Sequence, residues 1–168
     1  ILKERGTPIA VRDRAIIRLL YDLALRRAEV VSLDREHLDL EAGTLTILGH
    51  GDSAGESIAL PKPTKDALSA WLAMRGDRPG PLFSNFAHGK EGDGRLADRN
   101  LYAMVRRHGQ AIGVYLRPHG LRRMAITQAL TLMGGDVVAV QRFSRHKTIS
   151  TVKTYNVHRT VVAGEVTR

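Results

Sequence analysis

Pro118-His119-Gly120-Leu121-Arg122-Arg123-Met124-Ala125-Ile126 opens the stretch whose reading decides the architecture. Proline suits the first turn of a helix, where the N–H it lacks would have had no intrahelical partner. Leu121, Met124, Ala125 and Leu132 recur at helical spacing and predict a buried stripe, and Gly134-Gly135 is a stop signal. His119 and Arg122 lie three residues apart, so both emerge on another face, within reach of one anion. A lone His-x-x-Arg on a basic helix is weak and arises readily by chance.

Working outward, the rest of the chain also reads as mainly helical. Thr7-Pro8 is a start signal for a helix from about Val11 to Ala24, with Ile16, Ile17, Leu19, Leu20 and Leu23 at helical spacing. Arg27 to Leu33 reads as a second, short helix, and Asp39 to Gly43 as a turn. Thr44 to Leu48 and Ser57 to Leu60 form a predicted hairpin around a polar, glycine-rich tip, Gly49 to Gly55. Pro61-Lys62-Pro63-Thr64 closes it and begins a helix to about Arg75, with Leu68, Trp71 and Leu72 inward. Trp71 is the only tryptophan and is read as core, not as a base-stacking platform. Arg78 to Pro81 is a turn, and the composition of Ala87 to Gly94 predicts a mobile loop. Leu101, Met104 and Val105 face inward on a helix ending near Ile112. Asp136 caps a short helix, Val137 to Phe143, and a final helix carries Tyr155. The expected fold is mainly α with one small antiparallel sheet, a single α+β domain over 1–168.

With 168 residues and 43% apolar composition, the chain can bury a substantial core. The formal net charge is +9 and the pI near 10.5. Most of the basic side chains are arginine, whose planar fork grips phosphate in two places. A solvated basic surface is the bland account of that charge. A polyanion is the sharper one, because each phosphate contact releases condensed counterions. Nucleic acid is the first expectation on this ground, an anionic membrane surface the second. The absence of cysteine excludes disulfides and thiolate metal sites. No apolar run nears the roughly 18 to 20 residues that span a bilayer. The start at Ile1 shows neither an initiator Met nor a signal-peptide pattern, as expected of a domain excised from something longer.

Five side chains together suggest chemistry: Arg26, His119, Arg122, His146 and Tyr155. A phenol, two guanidiniums and two imidazoles suffice to cleave a phosphodiester without a metal. Order, spacing and flanking residues resemble the catalytic domain of the tyrosine recombinases, the phage integrase family. Leu25-Arg26-Arg27-Ala28-Glu29 is similar to the family's first arginine box, with Arg27 read as the solvent-facing neighbour. Ser144-Arg145-His146 through Ser150-Thr151 to Tyr155 is similar to its closing motif, although Ser144-Arg145 stands where Leu-Gly is usual.

The resemblance implies that Tyr155 attacks the scissile phosphate to give a 3′-phosphotyrosyl bond and a free 5′-hydroxyl. It implies that Arg26 and Arg122 stabilise the transition state, His119 accepts the phenolic proton, and His146 donates to a non-bridging oxygen. Glu29 would orient a catalytic side chain. Neither cofactor nor metal is implied. In the family a lysine on the β-hairpin protonates the leaving oxygen. Here His50 stands at that position, either as a substitute acid or as a plain turn residue. The implied partner is double-stranded DNA, bound by a tetramer, with a DNA-clamping domain upstream of Ile1 and a cytoplasmic, nucleoid-associated setting. Two alternatives stay open. One is a catalytically impaired, DNA-binding regulator or accessory subunit of the same family; the other is a type IB topoisomerase.

Overall fold

The computed structural model describes residues 6–48, 55–87 and 90–155. Helix α1 spans Pro8–Asp22, with the Ala10 N–H donating to the Thr7 hydroxyl at 3.2 Å and Pro8 in the first turn. Its inward residues Ile16, Leu19 and Leu20 are fully buried. A tight corner then leads into α2, Arg27–Ser32. After a 3-10 turn at Arg35–His37 come strands β1 (Leu38–Asp39), β2 (Thr44–Ile47) and β3 (Glu56–Ala59). They form an antiparallel sheet in the order β1-β2-β3, with Leu45 opposite both Leu38 and Ile58. Helix α3 spans Lys62–Arg75. Its Trp71 lies in the core, donating from the indole to the Leu82 carbonyl at 2.8 Å and stacking on Phe83.

One expectation is overturned between Ala87 and Gly94, where composition predicted a mobile loop. Residues Ser84–Ala87 (β4) and Lys90–Arg95 (β5) form a second antiparallel hairpin. Glycine and charge supply no apolar alternation, so periodicity has nothing to read in β5. Backbone pairing to β4 makes the strand, and β4 is itself fixed where Phe86 meets Trp71 at 6.3 Å between ring centroids.

The remainder is helical: α4 Asp98–Ala111, α5 Pro118–Leu132, α6 Val137–Ser144, and α7 over residues 149–155. Here a second expectation fails. Met124 is 53% exposed and Leu132 77% exposed, while Ile126, Ala129 and Leu130 are buried with Leu121 and Ala125. Because α5 packs on both α1 and α6, its buried arc lies between two neighbours and is rotated from the one expected. Arg122 falls inside that arc, only 4% exposed. A small second core follows from this packing. Ala24, Ala125, Ile126, Ala129, Leu130, Val140 and Val152 close it, with Tyr155 packed against them.

Asp13 is the most deeply buried carboxylate of α1. It accepts from the Arg12 guanidinium at 2.7 Å, from Arg107 at 2.8 Å, and sits 2.9 Å from His108 Nε2 of α4. Burial pushes its carboxyl upward, but the His108 and Arg12 contacts outweigh this and hold it below the ordinary 3.8. Its contribution to stability is therefore full at neutral pH and is lost only as pH falls below about 3.8. Asp13→Ala leaves the Arg12 and Arg107 guanidiniums without their counter-charge and is expected to cost about 3–5 kcal/mol in chemical denaturation at pH 7. The variant should lack the acid-dependent loss below that pH.

Candidate active site

The chain between α1 and α2 turns through Ala24, whose φ of 47° places a residue with a Cβ in the left-handed region. Such a conformation costs on the order of 1–2 kcal/mol. It aims the Ala24 carbonyl at α5, where it accepts from Arg122 Nη1. Arg122 Nη2 donates to the Ser144 carbonyl at the end of α6. The guanidinium is thus held by two carbonyls far apart in sequence. Burial, and then the neighbouring Arg26, lower its pKa to about 10, which leaves it charged at neutral pH.

Arg26 caps α2. Its N–H donates to Glu29 Oε2 at 2.6 Å and its Nη1 to Glu29 Oε1 at 2.6 Å. Nη2 donates to the Arg145 carbonyl at 2.9 Å. The side chain nevertheless remains 44% exposed, so it is aimed but open. Glu29 thus holds both the backbone N–H and the guanidinium of Arg26. Burial raises its carboxyl, but the Arg26 amide, Arg145 and the Arg26 guanidinium hold it below the usual range.

His146 follows the α6 terminus. Its Nδ1 lies 2.7 Å from the Ser144 hydroxyl and its Nε2 3.5 Å from Arg122 Nη2. Burial first, then Arg122, Arg26, Arg145 and His119, push its pKa down to about 4. The folded state thus keeps this ring neutral where an unfolded chain would protonate it, and the sign follows: stability is full above pH 6.5 and declines as pH falls from 6.5 towards 4. Thermal denaturation across that range should show the decline in the parent protein and a flatter profile in His146→Gln.

His119, exposed on the first turn of α5, faces the same space. Arg26, Arg27, Arg117, His119, Arg122 and His146 line a cavity of about 650 Å³. Four of the sequence-predicted residues therefore share one basin. Tyr155 does not line it. Its ring packs on the second core, 5.9 Å from the His146 ring and beneath the Arg123 guanidinium, also at 5.9 Å. His50 lies outside the described residues.

Sequence reasoning passes over two features. Arg27, read as a solvent-facing neighbour, pairs with Asp98 at 2.5 Å on the cavity wall. Arg145 enters it only as a departure from a motif, yet this side chain reaches Glu29 at 3.4 Å. A charged residue at a position where glycine is usual is the available signal. Among the described residues no cluster of three or more His, Cys, Asp or Glu could hold a metal ion. No helix among them is long and apolar enough to cross a membrane.

A mainly helical domain with a cationic basin fed by α2, α5 and the end of α6 is one of a known class. The profile of the phage integrase family matches residues 1–160, and the chain belongs to that family. Its relatives include a tyrosine recombinase of Synechococcus elongatus, Synpcc7942_B2651, 36% identical over 99% of this chain and 53% of that protein. Tyrosine recombinase XerC of Pseudomonas putida is 37% identical over 88% of this chain and 48% of its own length. The chain thus spans about half the length of these curated relatives. Among solved structures, XerA recombinase superposes with a TM-score of 0.73 at 21% identity, covering 94% of this chain and 59% of that one. XerH bound to a palindromic difH substrate, in a post-cleavage complex, superposes at 0.77 and 23% identity, covering 97% and 47%. These likenesses establish the fold: mainly α, with small antiparallel sheets.

Proposed function

We propose that this chain is the catalytic domain of a site-specific recombinase that cleaves and rejoins DNA through a 3′-phosphotyrosyl intermediate. The observation that carries the reading is the common basin of Arg26, His119, Arg122 and His146, with the Tyr155 ring beside His146. A scissile phosphate seated there meets two guanidiniums already fixed by backbone carbonyls and by Glu29, so little reorganisation is needed as charge grows on its oxygens. The Tyr155 oxygen attacks phosphorus, forming the P–O bond to tyrosine as the bond to the 5′-oxygen breaks, and that oxygen takes a proton from His50 or from solvent to leave as a 5′-hydroxyl. The phenol must give up its proton as it attacks, and exposed His119 is the acceptor. His146 enters neutral. Its Nε2 faces Arg122 Nη2, which can only donate; the arriving anion favours protonation of the ring, and the Nε2–H so formed donates to a non-bridging oxygen.

The net charge of +9 supports double-stranded DNA as the partner. The printed description of the XerH neighbour, a recombinase bound to a difH substrate, supports it too. A DNA-clamping domain beyond this chain and assembly into a tetramer on DNA belong to the same proposal. One sequence observation favours a second reading, a DNA-binding relative with impaired catalysis: the hairpin tip carries His50 where the family lysine would stand. A nicked suicide duplex, on which the departing strand diffuses away, separates the two. A covalent protein–DNA adduct supports the recombinase; binding without an adduct supports the impaired relative.

A further inference from the structure

Helix α6 ends at Ser144, and the next residue, Arg145, has φ 54° and ψ 41°. Among the described residues only Ala24 and Arg145 take positive φ without being glycine. Both flank the same guanidinium. The Ala24 carbonyl accepts from Arg122 and from Arg145 Nη2, and the carbonyl before Arg145, that of Ser144, accepts from Arg122. A backbone held in a sparsely populated conformation by its surroundings points to a function at that place. Glycine would adopt this conformation without strain. What arginine adds is its side chain, only 10% exposed.

That side chain turns back across the α1–α2 corner. Nη1 donates to the carbonyls of Leu23 at 3.3 Å and Phe143 at 3.2 Å. Nη2 donates to Leu23 at 3.3 Å, Ala24 at 3.2 Å and Glu29 Oε2 at 3.4 Å. The Arg145 carbonyl meanwhile accepts from Arg26 Nη2 at 2.9 Å. One residue therefore grips Arg26 from its backbone and grips Glu29, the partner of Arg26, from its side chain. Its Nε, also buried, has no hydrogen-bond partner among the described residues.

We infer that Arg145 is a positioning residue: it clamps the α1–α2 corner to the end of α6, so that Arg26 and Arg122, supplied by distant parts of the chain, converge on one phosphate. The inference rests on the proposed cleavage reaction. Arg145 does not line the cavity, so it acts through Arg26, Glu29 and the two carbonyls that hold Arg122. Its charge also bears on His146, whose ring faces Arg122, Arg26, Arg145 and His119 as well as the Ser144 hydroxyl.

The test uses the full-length protein with Arg145→Gly and Arg145→Asn, both compatible with positive φ. Single-turnover adduct formation on the nicked duplex is measured across pH, together with DNA affinity and melting temperature. The expected result is a rate about tenfold to a hundredfold lower, as for a small misplacement of reacting groups. Affinity should stay within about threefold, and the His146 ring, followed by NMR, should titrate at higher pH as a cation beside it is removed. A role confined to folding would lower the melting temperature without moving that titration, and this outcome overturns the inference, as does unfolding of both variants at the assay temperature. An adduct from the parent protein with unchanged rates in both variants overturns the positioning role and leaves the proposed function standing. No adduct from the parent protein overturns both.

Discussion

Tyr155→Phe is expected to eliminate covalent attachment to DNA. Losing the phenolic oxygen removes the atom that would bond phosphorus, and a water at that place is neither held nor activated, so strand cleavage should fall on the order of 10⁴-fold or more. The ring itself is retained. Its contacts with the second core around Ala125, Ala129, Leu130 and Val152 are apolar, so melting temperature should stay within about 2 °C, in line with a small surface change. DNA affinity should hardly change, since the guanidiniums that would meet phosphate are untouched. The measurement is denaturing electrophoresis of labelled nicked duplex after incubation with each protein. A persisting adduct in the variant would show that another side chain is the nucleophile.

Arg122→Ala is expected to have the second large effect, on both rate and stability. Removing one preorganised donor from a site of this kind costs on the order of 10²–10³ in rate. The same change leaves the Ser144 carbonyl without its buried donor, at about 1–3 kcal/mol for the unsatisfied group, and leaves the Ala24 carbonyl to Arg145 alone. The melting temperature should therefore fall clearly, unlike that of Tyr155→Phe. Arg122→Lys separates the two effects. An ammonium restores a positive charge but cannot hold two divergent carbonyls with a planar fork, so stability should recover in part while the rate stays low. Adduct formation by Arg122→Ala within about tenfold of the parent protein would remove Arg122 from the proposed mechanism.

Much of this was legible in the residues. The periodicity of α1, α3 and α4, the Pro and Thr signals at helix starts and the glycine pair after α5 reflect local sterics and amphipathic spacing, which a sequence carries directly. The candidate residues were legible for a different reason, since their types and order match a known pattern. Three features were not. Strand β5 has no apolar alternation and exists because β4 offers it a backbone to pair with. The buried arc of α5 depends on two neighbours, so helical spacing alone assigned Met124 and Leu132 to the wrong side. Arg145 looks like a substitution in a motif until the α1–α2 corner is seen lying against it.

By itself, then, the amino-acid order determined the helical character of the chain and its strong positive charge, because these depend on residue type and near-neighbour spacing, and it offered a candidate set of side chains for phosphoryl chemistry. Only the tertiary structure decided that Arg26, His119, Arg122 and His146 open onto one cavity while Tyr155 rests beside it on the second core. Convergence of that kind depends on the path of the backbone. The two strained turns at Ala24 and Arg145, held in place by packing between elements distant in sequence, direct the carbonyls that fix the guanidiniums.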